Sequence, residues 1–250
     1  MNTKIVFGLL AGLALLITSC SETATDVVDE EIMAASEVKS SEVAALLGDS
    51  CDFTTDLSAE DIEGLQWMRE EEKFAHDVYV TLFATHGMVV FDNISKSESA
   101  HTAAVLHLLD GFGISDPAID GVGNFSNDVF TNLYNQLTEL GNTSLVEALK
   151  AGALIEETDI ADLNSLIGET ENETINRVYS NLLRGSSFHL KAFTTILSRM
   201  GEAYTPTVLS VEEYNAILNG STDNTDNDDE DSSGTFVPGT GVCDGTGPNA

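Results

Sequence analysis

Four segments of this chain repeat an apolar residue at every third or fourth position, and each breaks that stripe near its middle with a glutamate or a histidine. A three-four alternation lays residues along one face of an α-helix, and an apolar face has to be buried. The first stripe reads Leu65, Met68, Glu72, Ala75, Tyr79, Leu82. The second reads Phe91, Ile94, Glu98, His101, Val105, Leu108, Phe112. On the third, Leu145, Leu149, Ala153, Ile160, Leu163 and Ile167 surround Glu156. The fourth runs Ile175, Val178, Leu182, then Gly185 or Ser186, His189, Phe193 and Ile196. Helices are therefore predicted over 58–85, 92–110, 144–167 and 173–200, with a shorter one over 127–140. Ser58 and Asp61 form a capping-box pattern, and Gly87, Gly113 and Gly201 follow helix ends. Pro117, Pro206, Pro238 and Pro248 all fall between or beyond these segments, as uninterrupted helices require. No useful strand-like alternation is present.

An ionised carboxylate in an apolar core costs several kcal/mol unless it is paired, hydrogen-bonded or bound to a cation. One such residue is an ordinary exception. One on each of four helices calls for a common cause, and a shared metal site supplies it. Glu98 and His101 stand one turn apart on one face, so both can reach a common ion. The predicted ligands are Glu72, Glu98, His101, Glu156, Asp159 and His189. His76, Tyr79 and Ser186 are placed beside them as residues that support ligands, with His76 also readable as a boundary residue or, less favoured, as a ligand itself. Glu70 and Glu71 flank the first stripe and are read as solvated. Glu157 lies about 100° round the helix from Glu156. Carboxylates with imidazoles suit iron or manganese, and zinc is compatible.

Outside these helices the chain changes character. Residues 1–19 read as a signal peptide: Lys4, then an apolar run too short to span a bilayer, then Ile17-Thr18-Ser19-Cys20. Small residues before a cysteine resemble a lipobox, which makes Cys20 the expected lipidation site and a bilayer the expected anchor. An acidic spacer follows over 20–56, with a short helix near 42–47. The helical domain spans 57–218, and 219–250 is an acidic, Gly-rich tail expected to be disordered. The bacterial cell envelope is the compartment this implies. There, Cys51 and Cys243, which bracket the domain, can form a disulfide. With 42 Asp plus Glu against 10 Lys plus Arg, net −32, the surface repels nucleic acid and draws in cations.

Glu72-x-x-Ala75-x-x-x-Tyr79 and Glu98-x-x-His101 resemble the first two helices of rubrerythrin and bacterioferritin. The runs around Arg69–Lys73, Gly152–Leu163 and Asn181–Leu190 look like an uncharacterised bacterial ferritin-like family of unknown function. The resemblance implies an all-α, ferritin-like four-helix bundle with one extra short helix in the connection between helices 2 and 3. It also implies two non-haem iron or manganese ions, held by one Glu from each of two helices and Glu-x-x-His from each of the other two. Here Ser186 stands where the fourth helix should supply its Glu, so one ligand of the usual six is missing and Asp159 is the candidate substitute. One ion or two both stay open on this reading. Ferroxidase or peroxide- or oxygen-reducing activity is expected, with electrons from an external donor because no Cys-rich centre is present. The alternative is a metal-binding or structural envelope module without turnover. The pattern is compatible with a homodimer.

Overall fold

The structure, a computed structural model, describes residues 40–48 and 51–220. The expectations for 1–19, Cys20, Cys243 and the tail beyond 220 lie outside these residues. Seven helices and no strand occur among the described residues: α1 (Ser40–Leu47), α2 (Ala59–His86), α3 (Val89–Phe112), α4 (Asp128–Gly141), α5 (Leu145–Glu169), α6 (Glu173–Arg199) and α7 (Val211–Asn219). None of them is long and apolar enough to cross a membrane.

The caps are where the sequence puts them. Ser58 accepts from the Asp61 N–H, the Asp61 carboxylate accepts in return, and Gly87 closes α2 in the left-handed region at φ 63°. Asn127, Ser144 and Asn172 cap α4, α5 and α6 with side chains that accept from backbone N–H groups of the first turn. Two boundaries differ. α3 starts three residues before the expected 92, with Met88 as an N-cap that makes no side-chain hydrogen bond. Gly168 is absorbed into α5, which ends at Glu169 with Thr170 as its cap. Helix α7 was not expected at all, although Ser210 and Glu213 form a second capping box at its start.

Packing follows the stripes. α2 pairs with α3, α5 pairs with α6, and the two pairs meet through α2–α5 and α3–α6 contacts. α4 lies against α2 and α5, α7 against α6, and α1 across α3 and α6. The apolar core has two lobes. One holds Phe74, Tyr79, Phe91, Leu149 and Phe193, and the other holds Leu65, Met68, Val105, Leu163 and Leu182. Each fully buried Leu or Phe contributes about 1.5–3 kcal/mol. On every one of the four long helices, the acids and imidazoles sit between a residue of one lobe and a residue of the other.

Three acids read from the wheel as solvated or off-face are buried instead. Glu70 accepts from the Ser126 N–H (2.7 Å), the Ser126 hydroxyl (2.9 Å) and the Asn127 N–H (3.3 Å), which pins the approach to α4. Glu71 accepts from the Trp67 indole at 2.9 Å. Glu157 accepts from the backbone N–H groups of Thr207, Val208 and Leu209 at 2.7–2.8 Å, and from the Tyr204 hydroxyl at 2.5 Å. The wheel of one helix cannot show this, because α4 and the 204–209 segment cover those sides.

Candidate metal centre

Glu72 on α2, Glu98 and His101 on α3, Glu156 on α5 and His189 on α6 converge between the lobes, all buried. They form two donor groups that share Glu98. One is Glu72, Glu98 and His101; the other is Glu98, Glu156 and His189, with the donor atoms of each group within 4.8 Å of one another. His101 Nδ1 lies 2.8 Å from Glu98 Oε2 and 3.2 Å from Glu72 Oε2. His189 Nδ1 lies 2.8 Å from Glu98 Oε1 and 3.4 Å from Glu156 Oε2. The two imidazoles stack with centroids 5.6 Å apart.

Hydrogen bonding accounts for part of this cluster, since His101 Nδ1 is hydrogen-bonded to Glu72 Oε2 at 3.2 Å, but not for all of it. His189 Nδ1 and Glu98 Oε1 are each buried without a hydrogen-bond partner although they are 2.8 Å apart. Glu72 Oε1 and Asp159 Oδ1 are likewise buried and unpartnered. A buried acceptor left unmade costs about 1–3 kcal/mol, more for a charged group. A cation in each group would satisfy Glu72 Oε1, Glu98 Oε1 and His189 Nδ1 at once, so the residues present fit a bound metal.

The electrostatics point the same way. Burial alone would raise the Glu98 carboxyl, but the His189 and His101 charges overcome burial and hold it well below the carboxylate range. Glu72 is raised to about 7, by burial first, with His101 opposing. Burial also raises Glu156 against the pull of His189. Asp159 is raised further, by burial and then by Glu72 and Glu156. Burial would lower His189, yet Glu98 and Glu156 lift it to about 10, and His101 rises well above its usual value for the matching reason, with Glu98 and Glu72. Protons on the imidazoles thus balance carboxylates that metal ions would otherwise neutralise.

Residues 61–221 match the family described as "Uncharacterized protein domain (DUF2202)". The chain belongs to this family. A relative, uncharacterized protein MJ0754 of Methanocaldococcus jannaschii, is 48% identical over 168 residues, covering 67% of this chain and 91% of the relative. The crystal structure of hypothetical protein MJ0754 from Methanococcus jannaschii DSM 2661 is similar with a TM-score of 0.67 at 47% identity, over 68% of this chain and 97% of that one.

Around the donors, the DUF2202 domain places supporting groups. Tyr79 donates to Glu156 Oε1 at 2.5 Å and reaches the Gly152 carbonyl at 3.3 Å. Ser186 donates to Asp159 Oδ2 at 2.5 Å and so orients that acid. Asp159 stands beside both groups but belongs to neither. His76 turns away: its Nδ1 meets Asp77 at 2.9 Å and its side chain is 28% exposed, so it supports no ligand. The reason is position, since four residues after Glu72 is a slightly overshot turn, and Asp77 holds the ring at the edge.

Ser97 went unread as part of the site, and Gly185 was read only as a small residue that leaves room for it. Ser97 is hydrogen-bonded to His189 Nε2 at 3.1 Å and fixes the far side of that ring. Gly185 lies against His101, where an added Cβ would meet the ring Cε1 and Nε2 at 2.7 Å. The small pair Gly185-Ser186 in the fourth stripe was the available signal for space. Nothing in a single-helix pattern marks Ser97, whose partner is on another helix.

Proposed function

We propose that this domain is a ferritin-like four-helix bundle of α2, α3, α5 and α6, with α4 as its inserted helix, holding two non-haem iron or manganese ions. Glu72 and His101 would hold one, Glu156 and His189 the other, and Glu98 would bridge them. Sharing of Glu98 by two buried donor groups is the observation that carries this reading. When bound, such an ion pair supplies one-electron steps to a small oxidant such as oxygen or peroxide. The protein's own share is to hold five donors in a dry layer, to fix His189 through Ser97 and Glu156 through Tyr79, and to keep Asp159 oriented through Ser186. Electrons would come from an external donor.

The lipid anchor at Cys20 and the envelope location form part of the same proposal. Cys51 is disulfide-bonded, which supports an oxidising compartment.

Ser186 favours a second reading. Because it hydrogen-bonds Asp159 and carries no carboxylate, the domain could store or sense metal without turnover. Ferrous iron added to purified protein separates the two. Rapid oxygen- or peroxide-dependent oxidation that Glu98→Ala abolishes supports the oxidoreductase. Bound iron that stays ferrous in air supports the binding module.

A further inference from the structure

A cleft of about 530 Å³ opens between α1 and α3, lined by Glu42, Ala45, Asn93, Lys96, Ser97 and His101, with Leu46 and Ala100 at its apolar side. It touches both halves of the metal centre. His101 is a donor of the first group, and Ser97 is hydrogen-bonded to His189 of the second. The other described clefts of similar size, around Thr55–Asn172 and around Lys191–Leu218, are lined by no donor residue.

One wall of this cleft comes from outside the family domain. α1 precedes residue 61, where the family match begins. Specific bonds hold it in place: Arg177 Nε donates to the Leu47 carbonyl at 3.0 Å and Asn181 Nδ2 to the Leu46 carbonyl at 2.9 Å. Just beyond, the Asp52 N–H donates to Thr174 Oγ1 at 3.0 Å. Leu47 is buried among Leu65, Val105 and Val178 of the second lobe. α1 is therefore held as a fixed wall along one side of the cleft.

We infer that this cleft is the port through which a small oxygen-bearing solute, of the size and chemistry of peroxide or dioxygen, reaches the centre. This rests on the metal reading above. The donors along the port suit such a solute: the Asn93 amide, the Ser97 hydroxyl and the remaining protons of the Lys96 ammonium, which is tied to Asp92 Oδ2 at 2.6 Å, can all donate to its oxygens. Glu42, in the first turn of α1, is the single acid among the lining residues, so the lining suits a hydrated cation poorly.

The test uses the full chain loaded with Co(II) and azide as the probe, read by the visible absorption of the Co(II) site. Ala45 is exposed and faces the cleft, so Ala45→Trp fills the port without touching the core. Ala203→Trp, in the unrelated cleft near Lys191, is the matched control. We expect both variants to bind Co(II) as wild type does. In Ala45→Trp the azide association rate falls about tenfold or more, because access then waits on a conformational change. Lys96→Met, which keeps the port open, takes up azide more slowly than wild type at low salt, and the difference shrinks as salt rises. Wild-type protein that takes up no Co(II) overturns the metal reading and the port with it. Equal Co(II) loading with equal azide rates in wild type, Ala45→Trp and Ala203→Trp overturns the port alone.

Discussion

Replacing Gly185 with alanine should remove one metal ion and leave the other. A Cβ at this position would lie 2.7 Å from both Cε1 and Nε2 of His101, whereas ordinary contact begins near 3.4 Å. The ring must therefore retreat by about 0.7 Å. It has little room, because its Nδ1 edge is held by Glu98 and Glu72 and the residue is buried. Metal–ligand distances tolerate only about 0.2 Å. The retreat thus takes His101 out of coordination, and affinity at the Glu72–His101 group should fall by about 10–100-fold or more, the scale of losing a ligand's support. His189 and Glu156 do not touch the new methyl, so the other group should keep its ion. Stability is a contest of small terms. Alanine in a helix interior gains about 1 kcal/mol over glycine. Overpacking costs about 1–3 kcal/mol. The metal-free protein should therefore lose no more than about 2 kcal/mol, or a few degrees of Tm in a domain of this size. Equilibrium titration with Co(II) or Mn(II), with circular dichroism on the same samples, reads both quantities. Two ions bound at wild-type affinity would refute the packing argument, and loss of both ions would refute the division into two groups.

Further outcomes follow from the same geometry. Tyr79→Phe removes the hydroxyl that donates to Glu156 Oε1, and should cost about 1–2 kcal/mol in urea unfolding while weakening metal at the Glu156–His189 group more than at its neighbour. Glu157→Ala leaves three backbone N–H groups and the Tyr204 hydroxyl without their acceptor; it should cost about 2–4 kcal/mol and expose 204–219 to hydrogen exchange with the metal centre intact. Because Glu98 with Glu72 and Glu156 holds both imidazoles protonated and Glu72 is itself raised to about 7, metal binding should release at least two protons, and affinity should fall as pH falls, as calorimetry in buffers of different ionisation enthalpy will show. Without metal the sign is opposite for stability. His189, raised to about 10 in the folded state, contributes fully below the unfolded imidazole range and loses that contribution as pH rises through about 10. Glu72, raised to about 7, adds a penalty that grows from the ordinary carboxylate range up to about 7. Urea unfolding of chelator-treated protein should therefore show lower stability near pH 10 than near pH 6.

The helices and the residues that meet between them were legible because both rest on periodicity. Glu72, Glu98, His101, Glu156 and His189 each interrupt a stripe, and the structure brings these five together. What periodicity could not show depends on neighbours outside the four stripes. Glu70, Glu71 and Glu157 are polar and lie off the apolar face, yet α4 with its approach and the 204–209 segment cover them; Ser126 and Asn127 donate to Glu70, Trp67 to Glu71, and residues 204–209 to Glu157. Asp159 was read as a ligand; it is buried beside both groups, tied to Ser186, and forms part of neither. His76 sat near the right face, and a turn and a fraction of rotation moved it to the edge. α7 escaped notice because nine residues with one buried tyrosine make too short a stripe to count.

Metal content of the purified protein, compared with that of Glu98→Gln and Glu72→Gln, tests the central claim most directly. Glu98 belongs to both donor groups and Glu72 to one. Wild type should carry two transition-metal ions per chain, Glu72→Gln one, and Glu98→Gln none, with all three folded by circular dichroism. A wild-type protein free of such metal, or a Glu98→Gln variant that keeps both ions, would contradict it.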